Sequence, residues 1–216
     1  MIYYRHGWWR PTRIGKRVWK HIISDFKKII SHLKIKLRGH NYRPEPTITE
    51  DCVVFTDWYP NNESQYPQPF WFNKVIRRED FCDDYWEDIK YGYHHTYQTK
   101  CGLTVMIFLI IVKHYIGKRL YVDSDNNIKE WYPAVEKCLK ILGYGLEEVK
   151  QMALNIWLRS HDGLPWWKIH SITDKETQKV IRKLENVSKN RTREEEIHGS
   201  FTSTSGGFAR TAISPR

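Results

Sequence analysis

The sequence predicts an α+β fold: a mainly helical body with a minor β element, a long basic amphipathic N-terminal helix and a flexible C-terminal tail. Apolar residues recur at steps of three and four in several segments, which is the spacing of one helix face. The run CVVFTDWY at 52–59 is typical of a strand. The chain ends in Ser, Thr, Gly and Arg, a composition that does not form a core.

The N-terminal helix is predicted from RIGKRVWKHIISDFKKIISHLKIK, residues 13–36. Its apolar residues form one stripe: Ile14, Val18, Trp19, Ile22, Ile23, Phe26, Ile29, Ile30 and Leu33. Gly39 is predicted to end the helix, and the Pro-containing NYRPEPT to follow it as a linker. An apolar stripe needs a cover, which the body of the protein, another chain or a membrane headgroup layer could supply.

The secondary structure of the rest of the chain is predicted from prolines, apolar runs and helix-capping residues. Three prolines in residues 59–72 exclude regular structure throughout that segment. The run LTVMIFLIIV exceeds a usual strand in length and favours a buried helix. The predicted elements are, in chain order, a strand at 52–59, a loop at 59–72, a helix at 75–91, a buried helix at 99–117, a strand at 119–122, a helix from Pro133 to Leu142 that Gly143 ends, a helix at 146–160, and a helix opened by the capping box Thr173-x-x-Glu176.

The charge of the chain is concentrated at one end. The net charge is +10, yet residues 1–43 hold twelve Lys and Arg against one acid, Asp25, so they carry +11 and the remainder carries −1. We therefore divide the chain into a basic amphipathic arm at 1–43, a mainly helical body at 44–189 and a flexible tail at 190–216. Such asymmetry indicates a polyanionic partner, either nucleic acid or an anionic membrane surface.

The interpretation we favour is a non-enzymatic nucleic-acid-binding accessory protein that contacts phosphates without base-specific readout. The candidate phosphate contacts are the cations of the arm: Arg10, Arg13, Lys16, Arg17, Lys20, Lys27, Lys28, Lys34, Lys36 and Arg38. Peripheral membrane contact is the weaker alternative, because a stripe that packs on the body cannot also enter a headgroup layer.

A second interpretation is a structural or assembly component of a nucleoprotein or virion particle. Ten Trp, thirteen Tyr and eight Phe make the chain rich in aromatic residues, which commonly anchor protein interfaces. We therefore expect protein partners on aromatic surfaces. This role is compatible with the first, since a basic arm and interfacial aromatics can serve one assembly.

The enzymatic alternative is a metal-dependent hydrolase or nuclease that uses the acids of residues 79–88 with His94 and His95. A solvated acidic face, or a patch that docks the basic arm, explains the same acids. The sequence DSDNN at 123–127 lacks the Gly and Glu of a calcium loop, and the helix pair around Gly143 is acidic where a DNA-reading helix should be basic. We therefore predict no catalytic residues, no cofactor and no metal.

The cellular compartment is predicted from the cysteine spacing, the N-terminal sequence and the length of the longest apolar run. The four cysteines have no zinc-binding spacing and are expected to be free thiols in a reducing, intracellular compartment. The N-terminus has no secretory pattern, although its basic, acid-poor helix leaves mitochondrial targeting open. The apolar run at 103–112 has ten residues, about half of what spans a bilayer.

Overall fold

The computed structural model describes residues 3–40, 43–56, 69–77, 91–97, 100–124, 126, 128–152 and 175–202. Over these residues the chain is a mixed α+β protein that combines helices with two small antiparallel sheets. The predicted fold class is confirmed at that level.

The elements alternate along the chain rather than forming separate α and β regions. They are, in order, β1 (Tyr3–Trp9), α1 (Lys16–Leu33), β2 (Thr47–Ile48), β3 (Cys52–Phe55), β4 (Phe70–Asn73), β5 (Tyr91–Tyr97), α2 (Lys100–Ile116), a short 3-10 turn (Gly117–Arg119), β6 (Tyr121–Ser124), α3 (Ile128–Leu142) and α4 (Lys175–Thr202). Residues 146–152 are also helical.

Sheet 1 has the strand order β5-β1-β6, so the first strand of the chain is its centre. Sheet 2 has the order β2-β3-β4. Aromatic residues join the inner faces of the two sheets: the Trp8 ring on β1 lies 5.4 Å from Phe70 and 5.8 Å from Phe72 on β4. Strand β1, which lies within the predicted basic arm, is thus the central strand of sheet 1 and contributes Trp8 to the core.

Helix α2 is the central core helix, and its prediction as a buried helix is confirmed. Residues from Val105 to Val112 along it are all buried, since α1, α3 and β5 pack around it. By length and composition alone the stretch Cys101–Arg119 could cross a membrane, but 72% of its apolar window is covered inside the protein. A helix that is apolar on every side fits a core position equally well.

Three predicted boundaries are corrected by the structure. Helix α1 begins at Lys16 and ends at Leu33, because Lys34 adopts the left-handed conformation and its N–H bonds the carbonyls of Ile30 and Ser31. Helix α3 begins at Ile128, so Pro133 is an interior residue of that helix instead of a first-turn residue. Burial of Trp131 ahead of the proline holds the earlier turn in place.

Other predictions fail where strands replace loops or helices. The predicted loop at 59–72 contains the start of β4 at Phe70, and Val75, predicted to be helical, forms a bridge with Arg13. Tyr91 opens β5. Residues 57–68, 78–90 and 153–174 lie outside the described residues, so the remaining parts of these predictions, including the acids at 79–88, stay predictions.

The final helix, α4, continues past the predicted start of the tail at residue 190 and ends at Thr202. Leu184 is buried against the core, and the Arg191 guanidinium bonds the carbonyl of Leu139 on α3. These contacts give a polar sequence a surface to pack on, which composition alone does not reveal. Residues 203–216 of the predicted tail lie outside the described residues.

Replacing Gly92 with alanine should lower the free energy of unfolding by about 1–3 kcal/mol, the usual cost of overpacking. Gly92 pairs with Trp8 across sheet 1, and a Cβ there would lie 2.5 Å from the Trp8 ring. The ring is 2% exposed and cannot move aside. Equilibrium unfolding in urea measures the change. Gly15→Ser is the matched control, because a Cβ at Gly15 meets nothing within 4 Å; equal losses in both variants would contradict the prediction.

Candidate functional site

Helix α1 lies on the body through its apolar stripe. Trp19, Ile22, Phe26 and Ile29 are buried, with exposures of 0–1%. The Phe26 ring meets Phe108 of α2 edge to face at 4.9 Å. Because the body covers this stripe, it is not available to enter a headgroup layer, and the other side of α1 faces solvent.

The single acid of the arm points away from that solvent-facing side. Asp25 is half-buried, and its Oδ2 accepts hydrogen bonds from the hydroxyls of Tyr115 at 2.7 Å and Tyr144 at 2.6 Å. Burial, together with the hydrogen bond to Asp25, raises the pKa of Tyr115 to about 12, and the same causes raise the pKa of Tyr144. Both hydroxyls therefore remain protonated donors at neutral pH. This clamp fixes the rotation of α1 about its axis, so the cations stay on the outside.

Most of the predicted phosphate contacts are exposed cations. Those that are exposed are Arg13, Lys16, Arg17, Lys20, Lys27, Lys28, Lys34 and Lys36. Among the described residues, none of these eight has a carboxylate within ion-pair distance. Arg38 is half-buried and its backbone bridges Thr56. We call the eight exposed side chains the cationic face.

Arg10 does not belong to the cationic face and is removed from the candidate set. It is 5% exposed, and its guanidinium bonds the carbonyls of Asn73 at 2.5 Å and Pro11 at 3.1 Å. The guanidinium also lies 4.3 Å from the centre of the Phe72 ring. Burial lowers its pKa to about 10, which still leaves it charged at neutral pH. Arg10 fastens the end of β1 to β4 instead of reaching solvent.

A groove runs beside α1, and four of the nine residues that line it are lysines. It has a volume of about 390 Å³; Lys16, Lys20 and Lys27 line one side, and Glu50 and Lys74 line the other. The helical rise separates Lys16 from Lys20 by about 6 Å and Lys20 from Lys27 by about 10 Å along the axis. Such a row of ammonium groups can bind successive phosphates of one strand.

Lys74 is the groove residue that sequence reasoning missed, because it lies far from the arm in sequence. Its Nζ donates to Asp51 Oδ1 at 2.9 Å and to the Glu50 carbonyl at 2.7 Å. The hydrogen bond from Lys74 lowers the pKa of the Asp51 carboxyl. With Lys74 occupied by these acceptors, the positive potential of the groove comes from the three α1 lysines.

The described residues do not assemble a metal or catalytic centre. They contain no group of three or more His, Cys, Asp or Glu side chains placed to hold a metal ion. His94, one of the predicted ligands, is buried against the Phe70 ring at 5.7 Å. The described cysteines, Cys52, Cys101 and Cys138, are not disulfide-bonded, and burial raises the pKa of the Cys138 thiol, which disfavours the reactive thiolate.

Comparison with known proteins places the chain in no family. No family model matches it, and no match is found among the curated proteins or the solved structures. The function therefore has to be argued from the geometry of the molecule itself.

Proposed function

We propose that this protein is a non-enzymatic nucleic-acid-binding accessory protein that contacts phosphates through the cationic face, without base-specific readout. The observation that supports it best is the set of eight exposed cations within residues 13–36, which carry no ion-pair partner among the described residues. Cations that are already solvated and not neutralised by the chain can exchange condensed counterions for phosphate contacts.

The geometry supports backbone contact rather than base reading. The side of α1 that could enter a groove is lined by flexible lysines, which act as point charges and make few directional bonds. Because the apolar stripe of α1 is packed on the body, the side of the helix that a nucleic acid can approach is the cationic face. Contacts of this kind position a protein but carry no sequence information.

Replacing Lys16, Lys20 and Lys27 together with glutamine should weaken oligonucleotide binding by about 10- to 100-fold. The slope of log affinity against log salt should also become shallower by about 2–3, since three phosphate contacts are lost. Fluorescence anisotropy with a labelled oligonucleotide, titrated at several salt concentrations, measures both quantities. Glutamine and lysine have similar helix propensities and the three side chains are exposed, so circular dichroism should be unchanged.

The matched control replaces Lys179, Lys183 and Lys189 with glutamine. These three lysines are exposed on α4, so replacing them removes the same net charge from a different helix. Equal weakening by both triple variants would show that net charge, and not the cationic face, drives binding. Binding that ignores salt, or tight binding to anionic vesicles with none to oligonucleotides, would count against the proposal.

An assembly component of a nucleoprotein or virion particle is the second candidate. Large exposed aromatic side chains, Trp71, Tyr93 and Tyr121, favour it, because such residues anchor interfaces. Sedimentation of the purified chain as a defined oligomer would support this role. The hydrolase alternative depends on acids outside the described residues, and residence in a reducing intracellular compartment likewise stays a prediction.

A further inference from the structure

The groove beside α1 has two walls of different chemistry. One wall is a face of α1 whose exposed side chains recur at steps of four and three residues: Lys16, Lys20, Ser24 and Lys27. The opposite wall is the turn between β2 and β3, at Thr49 and Glu50, together with Lys74 just after β4. A ligand in this groove therefore meets ammonium groups on one side and a carboxylate on the other.

Hydrogen bonds hold these two walls in place. Trp19 Nε1 on α1 donates to the Thr49 carbonyl at 3.1 Å, and the Trp19 ring, 1% exposed, stacks on Phe72. Lys74 Nζ donates to the Glu50 carbonyl at 2.7 Å, which fastens the turn to the end of β4. The groove, about 390 Å³ in volume, is therefore preformed, as ligand sites usually are, and it falls in the size range of such sites.

The charge of the α1 wall favours a ligand with several anionic groups. Among the described residues, no carboxylate lies within ion-pair distance of Lys16, Lys20 or Lys27. These lysines span about 16 Å along the helix axis, which is longer than one phosphate or one lipid headgroup. Glu50 is exposed on the opposite wall and repels phosphate, so a polyanion would lie with its charged backbone along α1.

We propose that this groove binds one single strand of nucleic acid, with its backbone along the lysines and its bases turned into the groove, so that the protein prefers single strands to duplexes. This inference rests on the proposed function and names the form of its ligand. Ile23, a half-buried residue of the groove, and the methylene stems of the lysines offer the bases an apolar surface that reads no sequence. Unpaired bases can turn toward such a surface, whereas a duplex keeps its bases stacked inside and touches only the rim.

The first test compares two ligands of the intact chain at one salt concentration. They are an unstructured single strand of roughly 12 nucleotides and the duplex of the same sequence. The single strand should bind about tenfold more tightly, measured by fluorescence anisotropy. Equal affinity for the two forms, or tighter binding of the duplex, would overturn the inference.

The second test, Ser24→Leu, asks whether the strand enters the groove. Ser24 is exposed between Lys20 and Lys27 in the α1 wall, so a leucine there narrows the groove without changing its charge. Single-strand affinity should fall about tenfold, while duplex affinity stays unchanged because the lysines at the rim are kept. Ser31→Leu is the matched control, because Ser31 is exposed on the same helix but is not one of the residues that line the groove.

The inference is overturned if Ser24→Leu binds the single strand as Ser31→Leu does, or if it weakens both ligands equally. It is also overturned if poly-glutamate displaces the labelled strand as well as an unlabelled strand of equal charge, which would make the groove a site for acidic protein segments. If the α1 glutamine variant loses binding while Ser24→Leu does not, the proposed function stands and only this inference falls. If the intact chain binds no oligonucleotide, both fall.

Discussion

Replacing Phe108 with alanine should lower the free energy of unfolding by about 3–5 kcal/mol, the cost of truncating a fully buried aromatic. Phe108 is 0% exposed at the middle of α2. Its ring meets three others edge to face: Phe26 at 4.9 Å, Phe70 at 5.3 Å and Phe72 at 5.1 Å. Removing it therefore opens a cavity between α1, α2 and sheet 2 at once.

Equilibrium unfolding in urea, followed by circular dichroism, measures this loss. Phe108→Leu keeps much of the volume and should cost about 1–1.5 kcal/mol. Trp71→Ala removes a half-exposed ring and should cost less than about 1 kcal/mol. If Phe108→Ala were no more costly than Trp71→Ala, the arrangement of the core around α2 would be wrong.

The same core explains which elements the sequence could predict. Helices α2 and α4 were identified because local spacing of apolar residues marks a buried helix or a helix face. Strand β1 could not be identified from local signals, since its partner Tyr97 lies far along the chain from Tyr3. The aromatic residues of β1 give no clear local strand pattern, and they form a strand because β1 pairs with β5 and β6, which lie far along the chain.

The candidate site likewise has features that the composition predicts and features that depend on how the chain packs. The charge of the arm is a property of composition, and eight of the ten cations named from the sequence are exposed in the structure. Arg10 has the same chemistry in sequence but is buried by Phe72 and by the Asn73 carbonyl, which are brought to it by the fold. Lys74 was missed for the converse reason, because it lies far from the arm in sequence and only the fold places it in the groove beside α1.

Acidification should destabilise the protein through His6, by an amount on the order of 1.4 kcal/mol for each pH unit. His6 is 0% exposed, its Nδ1 lies 2.9 Å from the Ser124 hydroxyl oxygen, and its ring meets Trp131 edge to face at 5.8 Å. Burial, and then the nearby His94, lower the pKa of His6 from 6.5 to about 3. Between pH 6.5 and about pH 3, His6 is protonated in the unfolded chain and neutral in the folded chain, so the free energy of unfolding falls as pH falls.

Urea unfolding between about pH 6.5 and pH 5.5 tests this, a window whose lower end lies about one pH unit above the pKa of an ordinary glutamate. His6→Gln removes the titrating group, so its stability should depend less on pH across the window, even if the variant is less stable at neutral pH. His32→Gln is the control, because His32 is exposed in the last turn of α1. A wild-type slope retained in His6→Gln would show that a different group drives the acid response.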